Sequence, residues 1–276
     1  MIKNCKFLSL FCFFTIGFSF FSMNCKDIAT VVVHGLGGCP NRIKNLSKNL
    51  SIGTELIVPV FDDYAGKRHK VHYSHISCGG KNDIAKIIEA CHKTKKPIHL
   101  VGHSRGAMAI CNAVASGKIK NKIVAMTLFC PPISVQEIVC YRIKRKCFGF
   151  MPPGWLIKFI DRYILSFLFR KYNYNQMQPI NSPFYIKDKN ILITVVGAER
   201  DLCVPFSSIK NLVNNFKKAG HNNVQFFSMP YGGHNSFWCK NIKKIIEVQQ
   251  NIRNKLLLPS ILFCLEETKD IFNKHK

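Results

Sequence analysis

The pentapeptide Gly102-His103-Ser104-Arg105-Gly106 is where residue types and spacing in this sequence most plainly permit chemistry. It fits the pattern G-x-S-x-G, in which the chain turns so sharply from strand to helix that side chains at the glycines would collide. The flanks agree, since Ile98-His99-Leu100-Val101 reads as a strand and Ala107–Ala115 as a small-residue helix. Ser104 is therefore the expected nucleophile. A serine hydroxyl near neutral pH is weak in that role and needs a base within hydrogen-bond reach.

Ten histidines compete to be that base. His234, in Tyr231-Gly232-Gly233-His234-Asn235, follows the last expected strand on a loop at the sheet edge that carries Ser104, and it is the expected base. His103 adjoins the serine but points elsewhere across the turn, and His34 ends the first strand. His69, His72 and His75 recur every third residue on a loop without supporting carboxylates or cysteines, so they read as a polar connector, and no metal is expected. A third group must orient the imidazole and stabilise its cation. Asp201, in the Gly197–Pro205 segment just past the fifth strand, fits best, with Glu199 as the alternative.

The elements that must position these groups alternate. Expected strands are Ala29–His34, Glu55–Phe61, Pro97–Val101, Lys122–Phe129, Ile191–Val196 and Val224–Met229. Expected helices are Asn41–Leu50, Asp83–Lys93, Arg105–Ser116, Phe206–Lys218 and Phe237–Leu258. Strands separated by helices imply an α/β fold with a mainly parallel, doubly wound sheet covered on both faces. Between Pro132 and Ile191 the alternation stops, and a structureless loop of that length would be unusual. The segment instead contains a helical pattern, Trp155–Tyr172, with Lys158, Arg162, Ser166 and Arg170 on one polar stripe and Leu, Ile and Phe elsewhere.

Lys3 and Lys6 precede an uncharged, Phe- and Leu-rich run from Phe7 to Asn24. That is the layout of a secretory signal, and the run is nearly long enough to span a bilayer. Residues 1–26 are thus expected to be a signal peptide or membrane anchor, and the remainder, 27–276, to be exported as one domain. Export permits disulfides, and of thirteen cysteines the first pair to bridge would be Cys140 with Cys147. Cys91, Cys111, Cys130 and Cys264 read as buried small hydrophobes. With no CxxC pair, a structural zinc site is not expected. The net charge of +25 is spread over the chain without a Lys/Arg run interleaved with aromatics, so nucleic acid is not expected as a partner.

Val31-Val32-Val33-His34-Gly35-Leu36-Gly37-Gly38, the elbow at Ser104, Asp201-Leu202-Cys203-Val204-Pro205 and Gly233-His234 together resemble the α/β-hydrolase superfamily, on its lipase and esterase side. The resemblance spans roughly residues 28–250 and is specific for fold more than for substrate. It implies a sheet of about six strands, a Ser-Asp-His order of triad residues, and a helical lid at about residues 133–190. It also implies an oxyanion hole from the backbone N–H groups of Leu36 and Arg105. One such donor is typically worth ~3–4 kcal/mol. Members often begin with two antiparallel strands, whereas here the leader runs almost directly into the first parallel strand.

Within residues 134–190 there are ten Lys/Arg against three Asp/Glu, which suggests a lid that meets lipid at an anionic surface or one that packs its apolar face on the core, with Phe159, Leu165, Phe167 and Phe169 shielding an acyl chain. The implied activity is hydrolysis of small-molecule or lipid carboxylic esters through an acyl-enzyme, with no cofactor. Thioesterase, acyltransferase and peptidase chemistry share the triad. A binding protein without turnover is the reading from another class.

Overall fold

The structure, a computed structural model, describes residues 27–36, 55–62, 76–146, 153–168, 173, 176–234, 241 and 243–256. The leader, the expected helix Asn41–Leu50, the His69–His75 connector, Phe169, Cys147 and Cys264 lie outside the described residues.

Six strands form one all-parallel sheet: β1 Ala29–Val33, β2 Glu55–Ile57, β3 Ile98–His103, β4 Ile123–Phe129, β5 Leu192–Ala198 and β6 Val224–Met229. Their spatial order is β2-β1-β3-β4-β5-β6. The chain folds this way because β1, β4 and β5 are mostly apolar and buried along their whole length. Val31, Val33, Leu100, Met126, Leu128, Ile193 and Val195 pack into one core with the helices α1 (Lys81–Cys91), α2 (Arg105–Ala115) and α6 (Phe206–Lys218). Val32, Val101, Ala125, Phe129, Leu192 and Val196 belong to a second core, closed by Ile245, Val248 and Ile252 of helix α7, residues 243–256. This alternation at a period of two is what a sheet buried on both faces requires.

The register decides where the chemistry falls. Val33 pairs with Gly102, His103 with Phe129, and Phe129 with Val196, so the carboxyl ends of β1, β3, β4 and β5 are level. Chain order reverses on the two sides of β1, which makes the β1–β3 boundary a topological switch point. Ligands bind beyond the strand ends at such points in open α/β sheets.

The insertion after β4 has structure of its own. It contains α3 (Val135–Lys146), α4 (Gly154–Phe159) continuing through a π-helical stretch Ile160–Leu165 into Ser166–Leu168, and α5 (Ser182–Tyr185). Both of its ends are tied to the core. The Ser208 hydroxyl donates to Glu137, Ser182 Oγ donates to Asn112 Oδ1 at 2.7 Å, and Asn112 Nδ2 donates to Met177 O at 2.9 Å. Leu165 is buried against Met108 and Val135, whereas Trp155, Phe159, Tyr163 and Phe167 face outward.

Candidate active site

Ser104 sits between β3 and α2 with φ 52° and ψ −121°, a conformation that L-residues rarely adopt. Strain of this kind costs of order 1–3 kcal/mol and persists only where the surroundings enforce it. Here they do. A Cβ on Gly102 would lie 2.7 Å from the Ala107 nitrogen, and one on Gly106 would lie 2.4 Å from the Val33 carbonyl oxygen. The Ser104 N–H donates to Phe129 O at 2.8 Å, and Met108 N–H donates to Ser104 O at 3.0 Å, fixing the turn from both sides.

From that turn Ser104 Oγ stands 2.7 Å from His234 Nε2, and His234 Nδ1 stands 2.7 Å from Asp201 Oδ2. The three groups come from the loops after β3, β6 and β5. Asp201 is buried, and its other oxygen accepts the N–H groups of Cys203 (2.7 Å) and Val204 (2.9 Å). Burial pushes the Asp201 carboxyl up. The hydrogen bond and charge of His234, with the two backbone donors, outweigh it and hold the pKa below the ordinary value. Glu199 lies elsewhere, on the surface, accepting from the Ser228 hydroxyl. The geometry is that of a serine whose proton can pass to an imidazole held in one orientation by a carboxylate.

Of the expected oxyanion donors, Arg105 is the first residue of α2, where helix N–H groups have no intrahelical partner and the helix dipole is positive. Leu36 follows Gly35, and a Cβ on Gly35 would lie 3.2 Å from the Ser104 Cβ, so the chain carrying Leu36 passes directly beside the elbow. His34 is buried under this loop, its Nδ1 2.8 Å from Gly35 O and its ring against Phe61.

Three features escaped the sequence reading. Arg105 lays its guanidinium over the Phe61 ring at 4.5 Å and reaches back to Asp83 of α1, with Nε to Oδ2 at 2.8 Å and Nη2 to Oδ1 at 2.7 Å. Both partners of this bidentate pair are buried. His103 does not simply turn away: its ring centroid is 5.0 Å from that of His234, and its Nε2 faces His234 O at 3.1 Å. Burial, then the nearby His234, lower the His103 pKa to about 3, so it positions the His234 loop as a neutral donor. Finally, Cys130 and Cys203 approach the triad, Cys130 from the end of β4 and Cys203 from the Asp201 loop. Nothing in local spacing announces contacts between residues so far apart in the chain.

No protein-family model and no curated protein sequence matches this chain. Solved structures do match. An esterase of Pyrococcus furiosus superposes with a TM-score of 0.58 at 15% identity, covering 85% of each chain. A thermophilic esterase of Thermogutta terrifontis gives 0.55 at 15% identity, over 83% of this chain and 90% of that one. A structure of metagenome-derived lipolytic enzymes gives 0.55 at 11% identity, over 83% and 94%. At these identities the likeness is one of fold.

Proposed function

Because the chain has the α/β-hydrolase fold, we propose that it is a serine hydrolase that cleaves carboxylic esters, with Ser104 as nucleophile, His234 as base and Asp201 as orienting acid. The observation that carries this reading is the unbroken relay from Ser104 Oγ through His234 to Asp201, with 2.7 Å at each step. In the reaction, Ser104 Oγ attacks the acyl carbon while His234 Nε2 takes its proton. The negative charge that develops on the carbonyl oxygen is met by the N–H groups of Leu36 and Arg105. His234 then hands the proton to the leaving alkoxide, and Asp201 stabilises the imidazolium in between. Water, activated by the same imidazole, releases the acid from the acyl-enzyme.

Trp155, Phe159, Tyr163 and Phe167 form an exposed aromatic face on the helix Gly154–Leu168, and they favour an ester with a hydrophobic acyl chain. In this reading the insertion is a lid, and the leader exports the enzyme to where such esters lie. The test is labelling with a fluorophosphonate probe, followed by a panel of esters, thioesters and amides of graded chain length. Labelling that disappears in Ser104→Ala, together with ester turnover above that of the other classes, is expected. A wild-type protein that neither labels nor turns over any panel member would overturn the reading.

A further inference from the structure

His234 has two sets of metal-ligating neighbours that ester hydrolysis does not use as such. Asp201, Cys203 and His234 bring a carboxylate oxygen, a thiol sulfur and a ring nitrogen within 4.8 Å of one another, and His103, Cys130 and His234 form a second such group. The sequence offered no hint, because the sets lack the close Cys spacing that marks a structural zinc site. Resting on the reading of His234 as the base, we propose that Asp201, Cys203 and His234 form an inhibitory binding site for a borderline-soft divalent cation of the Zn2+ kind.

The donor set suits that ion. Zinc takes Cys sulfur, His nitrogen and carboxylate oxygen in tetrahedral sites, with bond lengths of about 2.0–2.3 Å. A thiolate and a carboxylate also balance its two charges. Asp201 Oδ2 and His234 Nδ1 are already 2.7 Å apart, and Cys203 is held to the same loop through its own N–H on Asp201 Oδ1. Closing the set therefore needs small side-chain movements and a modest opening between the carboxylate and the ring. Solvent would supply the fourth ligand.

The set with Cys203 is favoured over that with Cys130. Cys130 is fully buried, whereas Cys203 is partly exposed and an ion can reach it. One cation opposes the site, since Arg142 Nη2 stands 3.2 Å from Cys203 Sγ. Arg142 is exposed and can swing into water when the ion arrives.

The consequence for catalysis follows from the tautomer. On binding, the Cys203 proton leaves to solvent, as metal binding to a thiol requires. The ring nitrogen facing Asp201 is Nδ1, so coordination there moves its proton to Nε2. That nitrogen then donates toward Ser104 Oγ and can no longer accept its proton. The enzyme is switched off without any change of fold, and removing the ion restores it.

The experiment titrates full-length protein, first stripped with a chelator, with Zn2+ while following fluorophosphonate labelling and turnover of a short-chain ester. Co2+ serves in parallel as a spectroscopic probe, because a thiolate ligand gives a charge-transfer band. Zn2+ is expected to inhibit reversibly, with chelator restoring the rate. Cys203→Ser, read against its own metal-free rate, should need at least about tenfold more Zn2+ for half-inhibition than the wild type. Cys130→Ser should be inhibited as the wild type is. The cobalt band should appear in wild type and in Ser104→Ala and be lost in Cys203→Ser. Absence of the band in Ser104→Ala, or inhibition that depends on Cys130 and not on Cys203, would overturn the proposal. A Cys203-dependent band in a protein that hydrolyses no ester would overturn the hydrolase reading and leave the site standing.

Discussion

At the residue scale, the bonds that hold Asp201 against His234 are also the bonds that depress the carboxyl's pKa. An acid whose folded pKa lies below its unfolded value, about 3.9 for aspartate, stabilises the fold fully above that value. The contribution is lost as pH falls through the lower folded value. Asp201→Asn should therefore melt below wild type at pH 7, with the gap narrowing in melts recorded below about pH 4. The same variant should lose about four orders of magnitude in kcat, since the imidazole then lacks both its tautomer control and its counter-charge. Glu199→Gln should leave kcat near wild type, and the reverse pattern would reassign the acid. That Ser104, Asp201 and His234 would meet was legible in the sequence because each sits on a loop directly after a strand, and a parallel sheet gathers such loops at one edge. Asp83, His103, Cys130 and Cys203 were not legible, because their roles come from side-chain directions across elements that no local pattern specifies.

The element that matters most is α2, whose residues from Arg105 to Ala113 are all buried, as a central helix beneath the strained Ser104 turn must be. Its first residue is charged, and the Asp83–Arg105 pair is what makes that burial tolerable. Asp83 is itself committed, accepting the Gly79 N–H at 2.8 Å while its own N–H donates to Ser77 Oγ at 3.1 Å. The pair thus clamps α1, the loop before it and the Ser104 turn into one unit. Removing one partner of a buried ion pair typically costs about 3–5 kcal/mol, because the other charge is left stranded. Arg105→Ala should show a loss of that size in chemical denaturation. Asp83→Ala should show a similar one, and the double variant should lose much less than the two together. Additive losses would mean the pair does not act as a clamp. Element reading from sequence was sharpest where periodicity was strongest, as for Phe206–Lys218 and Val224–Met229, which match the observed bounds. It overran at β2, expected over Glu55–Phe61 and observed over Glu55–Ile57: Val58, Pro59 and Val60 continue the apolar run, but the pairing with β1 stops where Val31 meets Ile57 and Pro59 has no N–H with which to resume it. The pattern at Trp155–Tyr172 gave a helix but not its π-helical turn, since a wider turn leaves the apolar and polar stripes much as they were.

At the scale of the whole molecule, a basic surface and an outward aromatic face coincide on the insertion. Arg142, Lys144 and Arg145 are exposed on α3, and Lys158 and Arg162 are exposed beside Trp155, Phe159, Tyr163 and Phe167 on the following helix. Among the described residues no helix is long and apolar enough to cross a membrane. Aromatic side chains at 48–80% exposure are costly to leave in water. A helix with an apolar face and flanking Lys and Arg is stable in the headgroup region of a bilayer. Each basic residue near an anionic surface adds about 1 kcal/mol of attraction, which salt screens. The expected outcome is binding to anionic vesicles that weakens as salt rises, with little binding to zwitterionic ones. Trp155 should move to a less polar environment on binding, seen as a blue shift of its emission that is lost in Trp155→Phe. Phe167→Ser should weaken vesicle binding and turnover of an emulsified long-chain ester, and leave a soluble short-chain ester unaffected, because Phe167 is 80% exposed and holds nothing in the core. Reversing the charges at Arg142, Lys144 and Arg145 should remove the salt dependence. The ends of the insertion, fixed by Glu137, Ser182 and Asn112, should stay in place while the helix between them moves onto the lipid. Equal turnover of soluble and emulsified esters, unaltered by vesicles or by these substitutions, would leave the insertion as a fixed cap over a small-ester esterase.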